Sequence, residues 1–246
     1  MQISVITAVY NRAGTIAEAV ESVARQTHRP LEHIIQDGGS TDGTLQVLEE
    51  VCTGIVNVRS EPDQGLYDAI NRGISRATGD IIGLMHSDDF FAHENVLSLV
   101  AEIMSDPAVD GVFGDLQYVA ADNPSRVVRN WKAGAFLPAK LRRGWMPPHP
   151  TFYLRREVFS QWGLYDTGLK ISADYDAMLR YLVKGGINLA YIPEVLVKMR
   201  VGGASNKSLR NIILKSREDF MAIRRHNVGS LGTLANKNIR KIVQYF

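Results

Sequence analysis

Short apolar runs rich in β-branched residues alternate with stretches of helical periodicity through the first half of this sequence. The apolar runs predict strands, and the stretches between them predict helices. The predicted strands are residues 3–9, 31–36, 56–60, 81–85 and 111–113, and the predicted helices lie near residues 15–25, 44–51, 66–77 and 95–104. This alternation predicts an α/β fold with a mostly parallel, mixed sheet and helices on both faces.

Each of the first four predicted strands is followed by a polar junction. The four junctions are Tyr10-Asn11-Arg12, the glycine-rich residues 37–44, residues 61–65 with Asp63, and His86-Ser87-Asp88-Asp89. Ligands of open α/β sheets bind at the carboxyl ends of the strands. The four junctions therefore predict one ligand site along that edge of the sheet.

The second half of the chain is less regular. Residues 122–148 are rich in glycine and proline and predict a loop-rich connection, and such long irregular stretches often act as lids. Beyond them we predict a strand at 151–154, a helix at 174–184, extended pieces at 188–192 and 195–200, and two C-terminal helices, one at 208–226 and one over the last fifteen residues.

Composition limits the cellular setting. With 246 residues, of which 45% are hydrophobic, the chain can bury a substantial core. The single cysteine, Cys52, rules out an internal disulfide framework and a cysteine-based zinc site, and it fits a reducing compartment. We find no signal-peptide pattern, and no apolar run approaches the roughly 20 residues of a membrane-spanning helix. We therefore expect a cytoplasmic protein.

Charge is distributed unevenly along the chain. The net charge is +2, but residues 207–246 carry nine Lys or Arg against two acids, Glu218 and Asp219. Such a basic segment can bind anionic lipid, which would place the protein peripherally at the inner face of the membrane. A solvated helix face explains the same composition equally well. We expect no nucleic-acid partner.

The glycine-rich residues 37–43 close a strand and open a helix, as a nucleotide-binding turn requires. They match neither G-x-G-x-x-G nor G-x-x-x-x-G-K-[ST], which argues against a dehydrogenase and a P-loop kinase. Asp37, at the strand end, can accept the imide N–H of a pyrimidine base. Ser40, Thr41 and Asp42 are better placed than Asp37 to cap the following helix.

Asp88 and Asp89 follow the apolar strand at residues 81–85. Adjacent carboxylates at the end of a buried strand repel each other and lose solvation, so they favour a bound cation. Mg²⁺ or Mn²⁺ suits an all-oxygen site that keeps positions open for phosphates and water. The pair therefore predicts a divalent metal site.

Three further places carry candidate chemistry. Asp174 and Asp176 stand where a helical pattern begins; the helix dipole stabilises acids there, and either can also serve as a general base. His149, between two prolines, can bind a metal, contact a diphosphate or lie at the surface. Arg200 precedes Gly202 and can bind phosphate or lie in an exposed turn.

The order of the junctions resembles the successive motifs of family 2 glycosyltransferases with the GT-A fold. The matching segments are residues 4–12, 37–44, 60–73 and 87–89, within a resemblance that covers residues 3–205. It implies a GT-A domain over residues 1–206, followed by a basic helical extension at 207–246. Within the domain, residues 1–115 form the nucleotide-sugar-binding half and residues 116–206 the acceptor-binding half.

The resemblance also implies residue roles. It implies that Asp89 binds the metal and that Asp174 is the catalytic base. It also implies that seven residues contact the nucleotide sugar: Tyr10 and Arg12 near the base, Asp37 on the base, Asp88 near the ribose, and Asp63, His149 and Arg200. Two positions depart from the family pattern. Ala173 stands where a glutamate often precedes the base, and Gly202-Gly203 stands where some members carry a histidine whose role Arg200 can take over.

The activity that the resemblance implies is transfer of a sugar, with inversion, from a nucleotide diphosphate to a hydroxyl group. UDP-sugars are the default donor, Mn²⁺ or Mg²⁺ the cofactor, and a saccharide or lipid-linked oligosaccharide the acceptor, as in cell-surface polysaccharide synthesis. A nucleotidyltransferase is one alternative, although the turn after the first strand is short and glycine-poor for that class. A non-catalytic nucleotide-sugar-binding scaffold is the other, and its hallmark would be missing carboxylates.

Overall fold

The computed structural model describes residues 1–52, 54–202 and 209–243. The strands are β1 (Ile3–Val9), β2 (Leu31–Asp37), β3 (Val56–Ser60), β4 (Ile81–Leu84), β5 (Phe90–Phe91), β6 (Gly111–Val119), β7 (Val127–Trp131), β8 (Tyr153–Arg155) and β9 (Leu189–Arg200). The helices are α1 (Ile16–Ala24), α2 (Thr44–Val51), α3 (Leu66–Arg76), α4 (Val96–Ile103), α5 (Pro138–Leu141), α6 (Arg156–Trp162), α7 (Ala173–Leu179), α8 (Leu209–Arg225) and α9 (Leu231–Val243). A 3₁₀ turn spans His149–Thr151, and a π-helical turn at Arg180–Lys184 continues α7.

The strands of the described residues form one sheet in the order β3-β2-β1-β4-β8-β6-β9-β5, and β7 pairs with β6. Strands β3, β2, β1 and β4 are parallel neighbours, β8 is antiparallel to β4 and β6, and β9 is parallel to β6. Val9 pairs with Asp37 and Asp37 with Ser60, so the first three strands end at one edge. The predicted α/β class with a mostly parallel, mixed sheet is confirmed.

Strand β1 is buried on both faces, as expected for a central strand of a parallel sheet. Val5 packs into a core cluster that contains Val100 of α4, whereas Ile6 packs into a cluster that contains Ile70 of α3 and Met178 of α7. The sheet is therefore covered by helices on both faces.

In the first half, the bounds of the predicted elements agree with the observed ones to within one residue, apart from β6, and the sequence does not predict the two-residue strand β5. The predicted strand ends at Phe113 because Gly114 and Asp115 interrupt the apolar pattern. In the structure the pairing with β9 continues past them to Val119. The two extended pieces predicted at 188–192 and 195–200 are one strand, β9, with a register shift opposite Gly114 and Asp115. The sequence does not predict α6, whose buried residues are only Val158 and Phe159.

Helices α8 and α9 pack on the body of the protein. Ala222 and Ile223 lie in the same core cluster as Tyr175 of α7. The predicted division between residues 206 and 207 falls within 203–208, outside the described residues, as does Gly203. None of the described helices is long and apolar enough to span a bilayer.

Candidate active site

The first three junctions meet around Gly38. A Cβ atom added to Gly38 would lie 2.5 Å from Asp63 Oδ2 and 3.4 Å from Tyr10 Cδ2, so only glycine leaves room for these neighbours. Asn11 ties the first junction to the second, since its N–H donates to Ser40 Oγ at 2.8 Å. Three residues predicted to contact the donor, Tyr10, Asp37 and Asp63, therefore border one glycine turn.

Asp37 is fully buried and holds the shape of this turn. Its Oδ2 accepts the N–H groups of Gly39 (2.9 Å) and Ser40 (3.0 Å) and the hydroxyl of Ser60 (2.7 Å). Its Oδ1 accepts the hydroxyl of Ser40 at 2.5 Å. A carboxylate offers about four acceptor positions, two on each oxygen. A base contact by Asp37 would therefore use Oδ1, and it stays a prediction.

Arg12 lies half-buried at the start of the turn before α1. Its backbone N–H donates to Thr44 Oγ1 at 2.8 Å, and its guanidinium donates to the Asn11 carbonyl at 2.9 Å. The side chain is thus folded back on its own junction, and the predicted contact near the base stays a prediction.

The fourth junction holds a buried carboxylate with an unused acceptor. Asp89 is 1% exposed, and its Oδ1 accepts the Arg200 N–H at 3.1 Å, whereas its Oδ2 has no hydrogen-bond partner among the described residues. Burial, and after it the negative charge of Asp88, raises the pKa of Asp89 well above its usual range. A carboxylate in this environment keeps its charge most easily beside a cation.

Arg200 faces the protein at the end of β9. Its guanidinium donates to the Asp88 carbonyl at 2.8 Å, pairs with Glu18 of α1 and lies 5.1 Å above the Phe90 ring. The side chain is 10% exposed. In this arrangement Arg200 fixes the loop that carries Asp88 and Asp89, and a phosphate contact by Arg200 stays a prediction.

The residues present fit a divalent metal that is bound mainly by the phosphates of a substrate. No group of three or more His, Cys, Asp or Glu side chains in the described part of the chain forms a ready metal cage. Mg²⁺ characteristically uses one or two protein carboxylates together with substrate phosphates and water. Asp89, with its unpartnered Oδ2, and the adjacent Asp88 match that donor set.

Asp174 lies at the start of α7 within a cluster of aromatic and imidazole side chains. Its Oδ1 lies 3.3 Å from the Tyr67 hydroxyl. His149 Nε2 is 3.0 Å from the Tyr165 hydroxyl, and the His149 ring centroid is 5.8 Å from that of His86. Because His149 is 8% exposed, the alternative that it lies at the surface is wrong.

Burial keeps these imidazoles neutral. It lowers the pKa of His149 to about 4, with the Asp174 charge opposing the shift and His86 adding to it. Burial also lowers the pKa of His86, against the opposing charges of Asp88 and Asp174.

Asp176, the other acid of the predicted helix start, faces a different environment. Its Oδ1 lies 3.0 Å from His226 Nε2 and 3.1 Å from an Arg225 guanidinium nitrogen, and it is 2% exposed. The sequence leaves Asp174 and Asp176 as equal candidates for a general base. In the structure only Asp174 adjoins the cluster around His149.

Sequence reasoning singled out none of His86, Tyr67 and Tyr165. His86 lies in the junction that carries the aspartate pair, and Tyr67 lies in the motif segment 60–73. Their positions in these segments could have marked both as candidate site residues. Tyr165 had no such positional signal, because it reaches the site through contacts with residues distant in sequence, including a stacked arrangement with Tyr67 at 5.8 Å.

The described residues share the GT-A fold of solved glycosyltransferases. The family model described as Glycosyl transferase family 2 matches residues 4–164. The chain belongs to this family. The enzyme class that the four ordered junctions predict is therefore confirmed.

Two relatives illustrate the similarity in sequence. A glycosyltransferase of Mycobacterium tuberculosis H37Rv is 32% identical over 183 residues, which cover 72% of this chain and 68% of the relative. The PGL/p-HBAD biosynthesis glycosyltransferase of Mycobacterium bovis is 29% identical over 217 residues, covering 86% and 82%.

Two solved structures share the fold. S. aureus TarS 1-349 in complex with UDP-GlcNAc superposes with a TM-score of 0.70 at 16% identity, over 93% of this chain and 66% of that one. The mannosyltransferase PcManGT of Pyrobaculum calidifontis, in complex with GDP-Man and Mn²⁺, superposes with a TM-score of 0.64 at 19% identity. The match covers 91% of this chain and 63% of that one. The chain thus spans less than two thirds of either structure.

Proposed function

We propose that this protein is an inverting, metal-dependent glycosyltransferase that uses a nucleotide diphosphate sugar, with UDP as the first candidate nucleotide. One observation carries the proposal: a series of side-chain contacts joins Asp174 to the junction of Asp88 and Asp89. The Tyr67 hydroxyl lies 3.3 Å from Asp174 Oδ1, and the Tyr67 ring stacks on that of Tyr165. The Tyr165 hydroxyl lies 3.0 Å from His149 Nε2, and the His149 ring centroid lies 5.8 Å from that of His86. These contacts support a general base for the acceptor hydroxyl in Asp174, close to the proposed donor carboxylates. That is the arrangement a direct displacement requires.

In the proposed reaction the acceptor oxygen forms a bond to the anomeric carbon while the bond from that carbon to the diphosphate breaks. Asp174 accepts the hydroxyl proton, and the nucleotide diphosphate leaves with the electron pair. Asp89 would hold the divalent metal, which supplies charge stabilisation to the leaving diphosphate. The reaction needs no enzyme nucleophile, and the barrier falls through positioning and electrostatic stabilisation.

The donor half and the acceptor half divide the site. The turn with Tyr10, Asp37 and Asp63 belongs to the proposed donor half, 1–115, whereas His149 and Asp174 come from the proposed acceptor half, 116–206. The nucleotides in the two solved relatives, UDP-GlcNAc and GDP-Man with Mn²⁺, support a nucleotide-sugar donor of this chemical class without choosing the base.

A binding screen followed by product analysis tests this function. We expect UDP-GlcNAc, UDP-glucose or GDP-mannose to raise the melting temperature, and to do so more strongly with Mn²⁺. The donor found should then be consumed in the presence of saccharide acceptors, and NMR should show inversion at the anomeric carbon. Retention would contradict the displacement, and donor binding without turnover would favour the non-catalytic scaffold.

We further propose a lipid-linked acceptor met at an anionic membrane surface on the cytoplasmic side. Both acids of the C-terminal segment are buried, so the charge on the outer face of α8 is positive. Arg210, Arg217 and Arg224 are exposed at a spacing of seven, and Ile213, at 70%, is exposed between the first two. Residues spaced in this way share one helix face.

Vesicle sedimentation tests the lipid contact. We expect binding to vesicles of phosphatidylcholine with phosphatidylglycerol, weakening as salt rises, and little binding to phosphatidylcholine alone. Arg217→Glu should reduce the binding. Binding that ignores lipid charge and salt would contradict the proposal and leave the solvated helix face as the explanation.

A further inference from the structure

We propose that Glu218 of α8 is a positioning residue for the catalytic base Asp174, an inference that rests on the proposed function. Glu218 is 5% exposed. Its carboxylate accepts three consecutive backbone N–H groups, from Lys170 at 2.9 Å, Ile171 at 2.8 Å and Ser172 at 2.9 Å. These residues lead directly into α7, whose second residue is Asp174.

The same segment is also joined to the site from its other side. The Ile171 carbonyl accepts the Tyr67 hydroxyl at 2.7 Å, and that hydroxyl lies beside Asp174 Oδ1. Ser172, at the N-cap position of α7, makes no side-chain cap to the helix. The carboxylate of Glu218, from a helix 46 residues further along the chain, therefore fixes where α7 begins.

Other contacts hold α7 itself, independently of Glu218. Asp176 is bound by His226, and Lys237 Nζ lies 3.3 Å from the centroid of the Tyr175 ring. Lys237 in turn pairs with Asp219 at 2.7 Å. Loss of the Glu218 carboxylate should therefore leave α7 folded and packed, while the segment before Asp174 loses its fixed position.

Charge-assisted hydrogen bonds are stronger than neutral ones, and a glutamine offers one acceptor oxygen in place of two. Glu218→Gln keeps the size of the side chain but cannot reproduce the three bonds. Since small displacements of a catalytic group cost about 100-fold in rate, we expect kcat to fall by about that factor. The dissociation constant for the nucleotide sugar should not change, because the donor turn lies on β1, β2 and β3.

The test compares Glu218→Gln with Val100→Ala, a destabilising control in the separate core cluster under α4. Each is assayed for melting temperature, donor affinity and kcat per folded protein, with whichever of UDP-GlcNAc, UDP-glucose and GDP-mannose the wild type turns over. The proposal holds if only Glu218→Gln loses kcat at unchanged donor affinity. If Glu218→Gln fails to fold, Glu218→Asp, which keeps the charge but is shorter, takes its place.

Two outcomes overturn the positioning role of Glu218 alone, and a third overturns the proposed function on which that role rests. Wild-type kcat in Glu218→Gln, while Asp174→Asn is inactive, removes the positioning role alone. Equal losses of kcat in Glu218→Gln and Val100→Ala, in step with stability, also remove it, because the effect is then structural. Transfer that survives Asp174→Asn removes the proposed base, and the inference with it.

Discussion

The Tyr67 hydroxyl of α3 lies 3.3 Å from Asp174 Oδ1 of α7, although 107 residues separate the two in the chain. Burial, and next the charge of Asp174, raises the pKa of Tyr67 well above its usual range, so the phenol stays protonated. The hydroxyl donates to the Ile171 carbonyl at 2.7 Å. Two helices that are distant in the chain thus meet at the candidate base, and this contact makes Asp174 the acid to test.

Replacing Asp174 with asparagine should abolish transfer and spare donor binding. The amide keeps the shape of the side chain but cannot accept the acceptor proton, so we expect kcat to fall by about 10³-fold. Steady-state kinetics and calorimetric titration of the donor measure the two effects separately. Asp176→Asn is the matched control, because Asp176 is bound to His226 and Arg225; it should lose stability and keep kcat. The reverse pattern would identify Asp176 as the base.

The two acids also show where sequence reasoning stops. Strand ends in a parallel sheet must meet at one edge, so the sequence alone places Tyr10, Asp37 and Asp63 together. The first turn of a helix offers no such constraint, because the direction in which Asp174 faces depends on how α8 and α9 pack on α7. For the same reason the three N–H bonds to Glu218 have no local signal in the sequence.

Gly38→Ala should weaken donor binding with little loss of stability. The new Cβ would lie 2.5 Å from Asp63 Oδ2, which is the flexible end of a side chain, so Asp63 must move. A displaced contact from a charged group lowers affinity by about tenfold or more. Gly14→Ala is the control, since nothing lies within 4 Å of its added Cβ. Isothermal titration with UDP would contradict this view of the turn if both variants bound equally.

Asp89→Asn should remove the effect of Mn²⁺ without lowering the stability of the metal-free protein. Burial and Asp88 raise the pKa of Asp89, so the ionised carboxylate costs folding free energy near neutral pH when no cation is bound. Asparagine removes that cost together with the ligand. In thermal melts, the metal-free Asp89→Asn variant should have a melting temperature equal to or higher than that of the wild type. Adding Mn²⁺ and UDP should not raise the melting temperature of the variant. The exposed Asp122→Asn control should keep the shift, and a shift retained by Asp89→Asn would place the metal elsewhere.

Buried His33 should make stability depend on pH on the acid side of neutrality. Its Nε2 lies 2.8 Å from Thr7 Oγ1, and burial lowers the pKa from 6.5 to about 3. Below pH 6.5, His33 binds a proton in the unfolded chain, whereas in the folded protein it does so only near pH 3. The unfolded state then binds more protons, so the free energy of unfolding is complete above pH 6.5 and falls as pH decreases.

One such group contributes a slope of about 1 kcal/mol per pH unit within this window. Urea unfolding of the wild type and His33→Gln between pH 7 and pH 4 isolates the contribution of His33, because glutamine can still bond to Thr7 but does not titrate. The variant should show the shallower slope, and His28→Gln, which alters a partly exposed imidazole, should follow the wild type. Equal slopes for wild type and His33→Gln would mean that His33 is protonated in the folded protein, which its burial between β1 and β3 argues against.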